Sequence, residues 1–450
     1  MTHVYESVLD AVGHTPLIRL NRIGEGIGAP VYLKAEFLNP GGSVKDRAAR
    51  HMVLAAERDG TLRPGGVVVE GTSGNTGIGL AIVAAQRGYR TIVVVPDKTS
   101  ADKLAVLRAY GAEVIVTPGG LPREDPGHVS QLARRIADET PGAWFANQYD
   151  NPANPQAHVD TTGPELWEQT AGRVTHYVAG IGTGGTVSGT GAYLKRVSDG
   201  RVRVIGVDPE SSTYGGGDGS PYYVESIGHY LHPGTVEDLW PQSFHTDVLD
   251  AVERVGDRDA IETTRALARQ EGLLVGASGG AAVAAALRVA RGLGPGDLVV
   301  VVAPDSGRNY LSKYFDDGWL LRNGFLDGTG TRPVLGDLVA GAPAPAVVPA
   351  TASVAQAREV FDRTGAEVAI VVLDRASTAP SRSAGDVIGA LFRDDLKEDP
   401  ERLPVAAVLP AGGAGEPVDE AFARAGGDWL AVLHDGRVRA VVPRPLVASP

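Results

Sequence analysis

The chain contains no cysteine and only two methionines, and aromatic residues make up 6% of it. Without cysteine there is no disulfide, no thiolate metal site and no cysteine nucleophile, so covalent chemistry falls to other side chains. No metal site is expected. Long apolar runs are missing too: a segment such as 298–304 has the length of a strand, far short of a membrane span. The opening residues, Met1-Thr2-His3-Val4-Tyr5-Glu6-Ser7, lack a basic region followed by an apolar one, so no secretory signal is read and a cytoplasmic protein is expected. Positive charge is in deficit. Lys and Arg number 42 against 54 Asp and Glu, a formal net charge of −12 with a pI near 5.4, which argues against nucleic acid or an anionic membrane as partner. What is present, 43% hydrophobic and 21% charged residues over 450 positions, suits a globular protein. Length alone points to roughly two or three domains.

Strand and helix patterns alternate up to position 320. Val31 to Phe37 reads as a strand, followed by a helix from Lys45 to Ala56 with Ser43 as its N-cap. Val67-Val68-Val69-Glu70, Thr91 to Val95, Glu113 to Val116, His176 to Gly180, Val202 to Val207 and Leu298 to Val302 are short β-branched runs separated by helical stretches. Such runs imply a mostly parallel sheet covered on both faces, with ligands bound outside the carboxyl ends of the strands. The fold class expected is therefore α/β.

Three loops at strand ends carry chemistry. In Asn39-Pro40-Gly41-Gly42-Ser43-Val44-Lys45-Asp46-Arg47, a lysine opens a helix directly after a turn. The positive end of the helix dipole and burial both disfavour its ammonium form, leaving the neutral amine that Schiff-base chemistry needs. The alternative is a surface lysine snorkelling from a first turn. Gly71-Thr72-Ser73-Gly74-Asn75-Thr76-Gly77 gathers hydroxyls, an amide and backbone N–H groups where a helix begins, a setting for a carboxylate, or else a capped polar turn. Gly180-Ile181-Gly182-Thr183-Gly184-Gly185-Thr186 leaves backbone amides open to a phosphate. It also reads as G-x-G-x-x-G, with Asp208 at the spacing of a dinucleotide fold's ribose acid, so a nicotinamide-dependent dehydrogenase competes. That motif accounts for neither Lys45 nor the 72–76 loop. A phosphorylated aldehyde accounts for all three, and pyridoxal 5'-phosphate is one.

These segments, with Asn147-Gln148-Tyr149, Asn151-Pro152, His158, Thr162-Gly163-Pro164-Glu165 and Asp305-Ser306-Gly307-Arg308-Asn309-Tyr310, resemble the cystathionine β-synthase and cysteine synthase family of pyridoxal-phosphate enzymes. The resemblance runs through residues 1–325 and implies fold type II, the tryptophan-synthase-β-like architecture of two open parallel-sheet subdomains, the smaller at roughly 41–146. It implies Lys45 as the Schiff-base lysine, Asn75 at the cofactor's ring oxygen, and Gly182, Thr183, Gly184, Gly185 and Thr186 around its phosphate. Thr72, Ser73, Thr76 and Gln148 would hold the substrate carboxylate. Ser278, in Gly276-Ala277-Ser278-Gly279-Gly280, matches the serine facing the pyridine nitrogen, though a helix N-cap accounts for it as well. A neutral hydroxyl there keeps no proton on the ring, which favours prompt β-elimination.

The activity implied is β-replacement on serine or an O-activated serine through an α-aminoacrylate, with a thiol, homocysteine first, as nucleophile. Sulfide or another nucleophile, a serine or threonine dehydratase, and a catalytically silent ligand sensor stand as alternatives. Tyr149 is a candidate assistant to the leaving group, or a packing residue. Tyr214-Gly215-Gly216-Gly217-Asp218 and Val224-Glu225-Ser226-Ile227-Gly228 resemble the family's flexible loop and its Glu-Gly-Ile-Gly element, with Ser226 where the pattern has glycine. Glu225 either orients an incoming amino group or is a solvated carboxylate. Thr99 replaces a frequent methionine.

Residues 326–333 form a turn-rich break, after which the texture changes. Over 334–450 a weak repeat of helix, strand and strand recurs: Val354 to Phe361 with Glu367 to Leu373, then Val418 to Arg424 with Trp429 to Leu433 and Val438 to Val442. Asp374 to Ala384 and Ala411 to Glu416 read as linkers. This tail resembles a degenerate tandem pair of the small α+β modules named after cystathionine β-synthase. Where those end in glycine, Ser/Thr and acid, the first repeat has Gly389, Phe392 and Asp394, and the second keeps almost nothing of the pattern. A structural role, or one shaping a homodimer or higher homo-oligomer, is expected, without an adenosyl ligand. The haem-binding extension of some members is not expected here.

Overall fold

Valine-rich segments build two mainly parallel sheets in the computed structural model, which describes residues 4–328, 332–339, 342–375, 382–397 and 402–445. In chain order the strands are β1 (Leu17–Arg19), β2 (Val31–Ala35), β3 (Val67–Gly71), β4 (Arg90–Pro96), β5 (Glu113–Thr117), β6 (Ala143–Phe145), β7 (His176–Gly180), β8 (Arg203–Pro209), β9 (Ala251–Val255) and β10 (Val299–Ala303). The larger sheet has the order β1-β2-β10-β7-β8-β9 and the smaller β5-β4-β3-β6. β1 runs antiparallel to β2, and the other pairs in both sheets are parallel. Strands such as β3 and β10 are buried along their whole length, so neither face tolerates water. In the smaller sheet Val68, Val93 and Val95 pack on Met52 of helix α1 (Lys45–Asp59) and on Ile78 and Leu80 of helix α2 (Asn75–Arg87). Val67, Val69 and Val94, one residue out of phase, pack on Ala133 and Ala137 of the helix Val129–Glu139. Among the described residues no helix is long and apolar enough to cross a membrane.

The contacts divide the chain into two units: one runs to Gly216 and resumes over Val224–Phe315, and the other comprises Gly217–Tyr223 and the chain from Asp316. The division falls ahead of the 325/326 boundary because Trp319 and Phe325 stack on each other and both meet Tyr223 edge to face. The second unit repeats one motif. Strand Ala346–Pro349, helix Val354–Thr364 and strands Val368–Val372 and Val387–Phe392 are followed by strand Ala411–Gly413, helix Val418–Ala425 and strands Trp429–His434 and Arg437–Pro443. In each copy the first strand is parallel to the second and the second antiparallel to the third. The copies share a core through Ile370, Val372, Ala431, Leu433 and Val438.

Local differences from the sequence reading have physical causes. Ala411 to Glu416 is not a linker throughout: its first half is a strand held by main-chain pairing to Trp429–His434, with Ala431 N donating to Pro410 O at 2.8 Å, a ladder that small side chains do not advertise. Of the other two proposed linkers, 329–331 and 376–381 lie outside the described residues. β2 stops at Ala35 instead of Phe37 because Glu36 turns inward, opening the 3-10 turn Glu36–Leu38. Val44 precedes α1 as its N-cap, and Ser43 Oγ accepts from Lys45 N at 3.2 Å from one place further out.

Glu36 turns inward to meet Arg47. The guanidinium donates to Glu36 through Nε and Nη2, each at 2.8 Å, and to Glu165 through Nη1 and Nη2, each at 2.7 Å. Lys34 Nζ completes the cluster on Glu165 Oε2 at 2.7 Å. Burial pushes the Glu36 carboxyl up, but Arg47 and Lys34 outweigh it and hold the group at about 2. Glu165 is held at about 2 in the same way. In the folded chain both remain ionised where the unfolded chain has taken up protons, so their stabilisation is complete above about pH 4.5 and is lost as pH falls toward 2. Glu36→Gln is expected to lower stability at neutral pH by about 3 kcal/mol and to flatten the acid limb of a melting-temperature profile. An acid limb identical to that of the wild type would contradict this.

Candidate active site

Lys45 is the first residue of α1, placed there by the turn that follows β2. Its side chain lines a pocket with Asn75, Thr183 and Ser226, so the snorkelling alternative does not describe it. Nζ stands 3.5 Å from Thr183 Oγ1. Burial lowers the ammonium to about 8, with the Glu70 and Asp305 carboxyls pulling the other way. A usable fraction of neutral amine is therefore present near pH 8.

Opposite Lys45, β7 ends in the glycine turn and the helix Gly185–Val197 begins. Gly184 adopts a left-handed conformation (φ +83°), and a Cβ there would lie 2.3 Å from Phe244 Cβ, so neither backbone nor space admits a side chain. The hydroxyls of this turn are held from behind. Asn154 Nδ2 donates to Thr183 Oγ1 at 3.0 Å and to Gln148 O at 2.7 Å. His158 bridges Thr186 Oγ1 (3.2 Å from Nε2) and Thr162 Oγ1 (2.8 Å from Nδ1) from the π-helical turn His158–Thr162. Burial, then the Arg47 charge, push this imidazole down to about 3, so it is neutral.

The loop after β3 delivers the third set of donors. Thr72 and Thr76 are buried and Ser73 is half-buried. Thr76 Oγ1 donates to Gln148 Oε1 at 2.5 Å, which joins the two parts of the expected carboxylate site. Gln148 follows Asn147, a left-handed residue (φ +48°), and its N–H donates to Glu70 Oε2 at 3.4 Å. Glu70 sits at the end of β3, and burial pushes its carboxyl up to about 8. Asn75 Nδ2 donates to Asp305 Oδ2 at 2.7 Å, and Tyr310 OH donates to the same oxygen.

The structure thus gathers Lys45, Asn75, Thr183, Thr186 and Ser226 on one pocket, with Thr76 and Gln148 joined beside Asn75. Ser278 is buried with an unpartnered hydroxyl, and Gly276 caps its helix, so capping does not explain the serine. Two expectations change. Glu225 is not a solvated carboxylate: Lys103 Nζ at 2.9 Å and Lys313 Nζ at 2.5 Å each bond one of its oxygens. Asp208 is not a free ribose acid, because it is buried and accepts from Gly215 N at 2.7 Å. Tyr149 lies at the surface, 38% exposed, and its main-chain oxygen accepts from Ser243 N at 3.0 Å. Asn154 and Glu70 were missed in the sequence. Asn154 sits in an Asn-Pro stretch that signals a turn, whereas an acid closing an all-valine strand was a usable sign.

Residues 8–305 match the model of a family described as pyridoxal-phosphate dependent enzyme. The chain is 43% identical over 328 residues to the cystathionine β-synthase of Apis mellifera, an alignment covering 72% of this chain and 64% of that protein. It therefore spans a little under two thirds of that relative's length. It is 44% identical over 315 residues to a probable cysteine synthase of Bacillus subtilis, covering 69% of this chain and 98% of that one. Among solved structures, O-ureido-L-serine synthase in an O-ureido-L-serine-bound variant superposes with a TM-score of 0.65 at 38% identity, covering 70% of this chain and 95% of that chain.

The residues in the pocket fit pyridoxal phosphate. Lys45 offers an amine of lowered basicity to an aldehyde. The buried, unpartnered Asn75 Oδ1 offers a polar atom to a ring, and the glycine turn with Thr183 and Thr186 offers N–H and O–H donors to a phosphate. Asn154→Ala, which frees Thr183 without touching the pocket wall, is expected to weaken cofactor affinity about tenfold in a fluorescence titration of the apoprotein. Unchanged affinity would remove Asn154 from the phosphate cradle.

Proposed function

Because the chain belongs to the cystathionine β-synthase and cysteine synthase family of pyridoxal-phosphate-dependent enzymes, we propose that it catalyses β-replacement on serine or an O-activated serine with a thiol, homocysteine first among them. The observation that carries this reading is one pocket holding a lysine of lowered basicity between an anion-binding glycine turn and a hydroxyl-rich helix N-terminus. When bound, pyridoxal phosphate supplies an aldehyde for the amino group and an electron-withdrawing ring that acidifies Cα. The α2 N-terminus, Thr72, Ser73, Thr76 and Gln148 bind the substrate carboxylate and so fix the Cα–H direction. Lys45 Nζ would take the Cα proton and pass it to the departing β-oxygen. Ser278 would offer its neutral hydroxyl to the ring nitrogen and so hold no proton there, which would favour prompt loss of the β-substituent. On this proposal Tyr149 assists the leaving group.

A second reading is sulfide as the nucleophile, making a cysteine-like product. It is favoured by the hydroxyl of Ser226 on the pocket wall. The C-terminal unit, on this proposal, is a degenerate pair of modules of the cystathionine β-synthase type with a structural role: its two like-folded repeats support the pairing, and the apolar Phe392 at the hydroxyl position speaks against an adenosyl ligand. A cytoplasmic homodimer or higher homo-oligomer acting on small amino acids completes the proposal.

Lys45→Ala is expected to reduce turnover by at least about a thousandfold while leaving the melting profile of the second unit unchanged. A mass-spectrometric screen of serine, O-acetylserine and O-phosphoserine against homocysteine, sulfide and amines tests the reaction itself. The expected outcome is a β-substituted alanine that retains the donor's amino group. Keto acid and ammonia alone would replace the proposal with a dehydratase.

A further inference from the structure

Ser226 stands in a left-handed backbone conformation (φ +75°), which a residue with a Cβ adopts only against a steric penalty. Unlike Asn or Asp, serine has little intrinsic tendency to it, and glycine would hold the same turn without strain. The surroundings leave the backbone no other course. Gly228 N donates to Ile181 O at 2.7 Å, and Ser226 O lies 2.5 Å from where a Cβ on Gly182 would be, so the segment is clamped onto the glycine turn. Ser226 lines the same pocket as Lys45. Its Oγ is 3.3 Å from Tyr310 OH and 3.5 Å from Asn75 Nδ2, both of which bond Asp305 Oδ2. Ser226 thereby closes a ring of polar groups with Asn75, Asp305 and Tyr310 beside the pocket that Lys45 lines.

We propose that Ser226 is a specificity-determining residue that filters the nucleophile by size and polarity, lowering the preference for an extended amino-acid thiol over hydrosulfide below what a glycine at the same position would give. This rests on the β-replacement reading of the same pocket. Relative to glycine, the hydroxymethyl group adds two heavy atoms beside Asn75 and sets a polar group on the pocket wall, which suits the small hydrosulfide better than the methylene chain of homocysteine. The backbone strain is what keeps that group in place: the clamp on Gly182 and Ile181 prevents the turn from relaxing and carrying the hydroxyl away.

The test compares kcat/KM for homocysteine with that for hydrosulfide, at a fixed donor, in the cofactor-loaded wild type and in Ser226→Gly, Ser226→Ala and Ser226→Thr. Ser226→Gly is expected to raise the homocysteine-to-hydrosulfide ratio about tenfold, the scale of one group removed from a pocket wall, with Ser226→Ala between and Ser226→Thr below the wild type. Melting gives a readout independent of turnover: Ser226→Gly is expected to raise Tm by roughly 1–3 °C through loss of strain, and Ser226→Ala, which keeps the Cβ, is not. A ratio unchanged within about twofold in Ser226→Gly, on the same pocket-wall scale, would overturn the proposal and leave β-replacement standing. Equal Tm values for the glycine and alanine variants would overturn the strain on which it is built. No β-substituted product from the wild type with any donor would overturn the parent reading and this one with it.

Discussion

The Arg47 guanidinium, buried between the carboxylates of Glu36 and Glu165, is the interaction on which the placement of the Lys45 amine depends. A helix that starts after a glycine turn has a poorly defined first turn, because its leading N–H groups find no partner within the helix. Here the third residue of α1 is locked by four charge-assisted hydrogen bonds, two to each carboxylate. Glu36 comes from the end of β2 and Glu165 from the helix Gly163–Gln169, so α1 is tied to the framework of the larger sheet at the point where Lys45 leaves it. The ions are nearly dry, and removing one partner would strand the others. That makes the cluster a source of uniqueness in the position of Lys45 more than of net stability.

The same low-dielectric setting fixes the proton inventory of the pocket. Lys45 is pushed down to about 8 and Glu70 up to about 8, so neither charge is firmly held near neutrality. Asp305 is likewise raised by burial and is met by Asn75 and Tyr310. His158 stays neutral and serves as a bridge between threonine hydroxyls. Burial dominates at all four groups, which means that one physical cause, exclusion of water from the crevice at the strand ends, prepares them together.

Much of this was legible in the sequence. β-Branched runs located the buried strands because a parallel sheet covered on both faces leaves no polar alternation to confuse them, and His176 to Gly180 matches β7 residue for residue. The three loops were legible because glycine, threonine and lysine at strand-to-helix junctions have few structural uses in that density. What could not be read depends on distant partners. Glu225 looks solvated until Lys103 and Lys313 are brought to it from 122 and 88 positions away. Asn154 is an ordinary turn residue until the chain folds Thr183 against it. The strand Ala411–Gly413 has no side-chain signal, since its pairing is carried by the main chain. The inward turn of Glu36 likewise follows from Arg47, eleven residues on.

The central claim is that the amine at position 45 carries the cofactor. Borohydride reduction of the holoenzyme followed by peptide mapping measures this directly. The account predicts a single pyridoxyl label on the peptide containing Lys45, coinciding with loss of activity. A label on any other lysine, or none in protein saturated with pyridoxal phosphate, would contradict it.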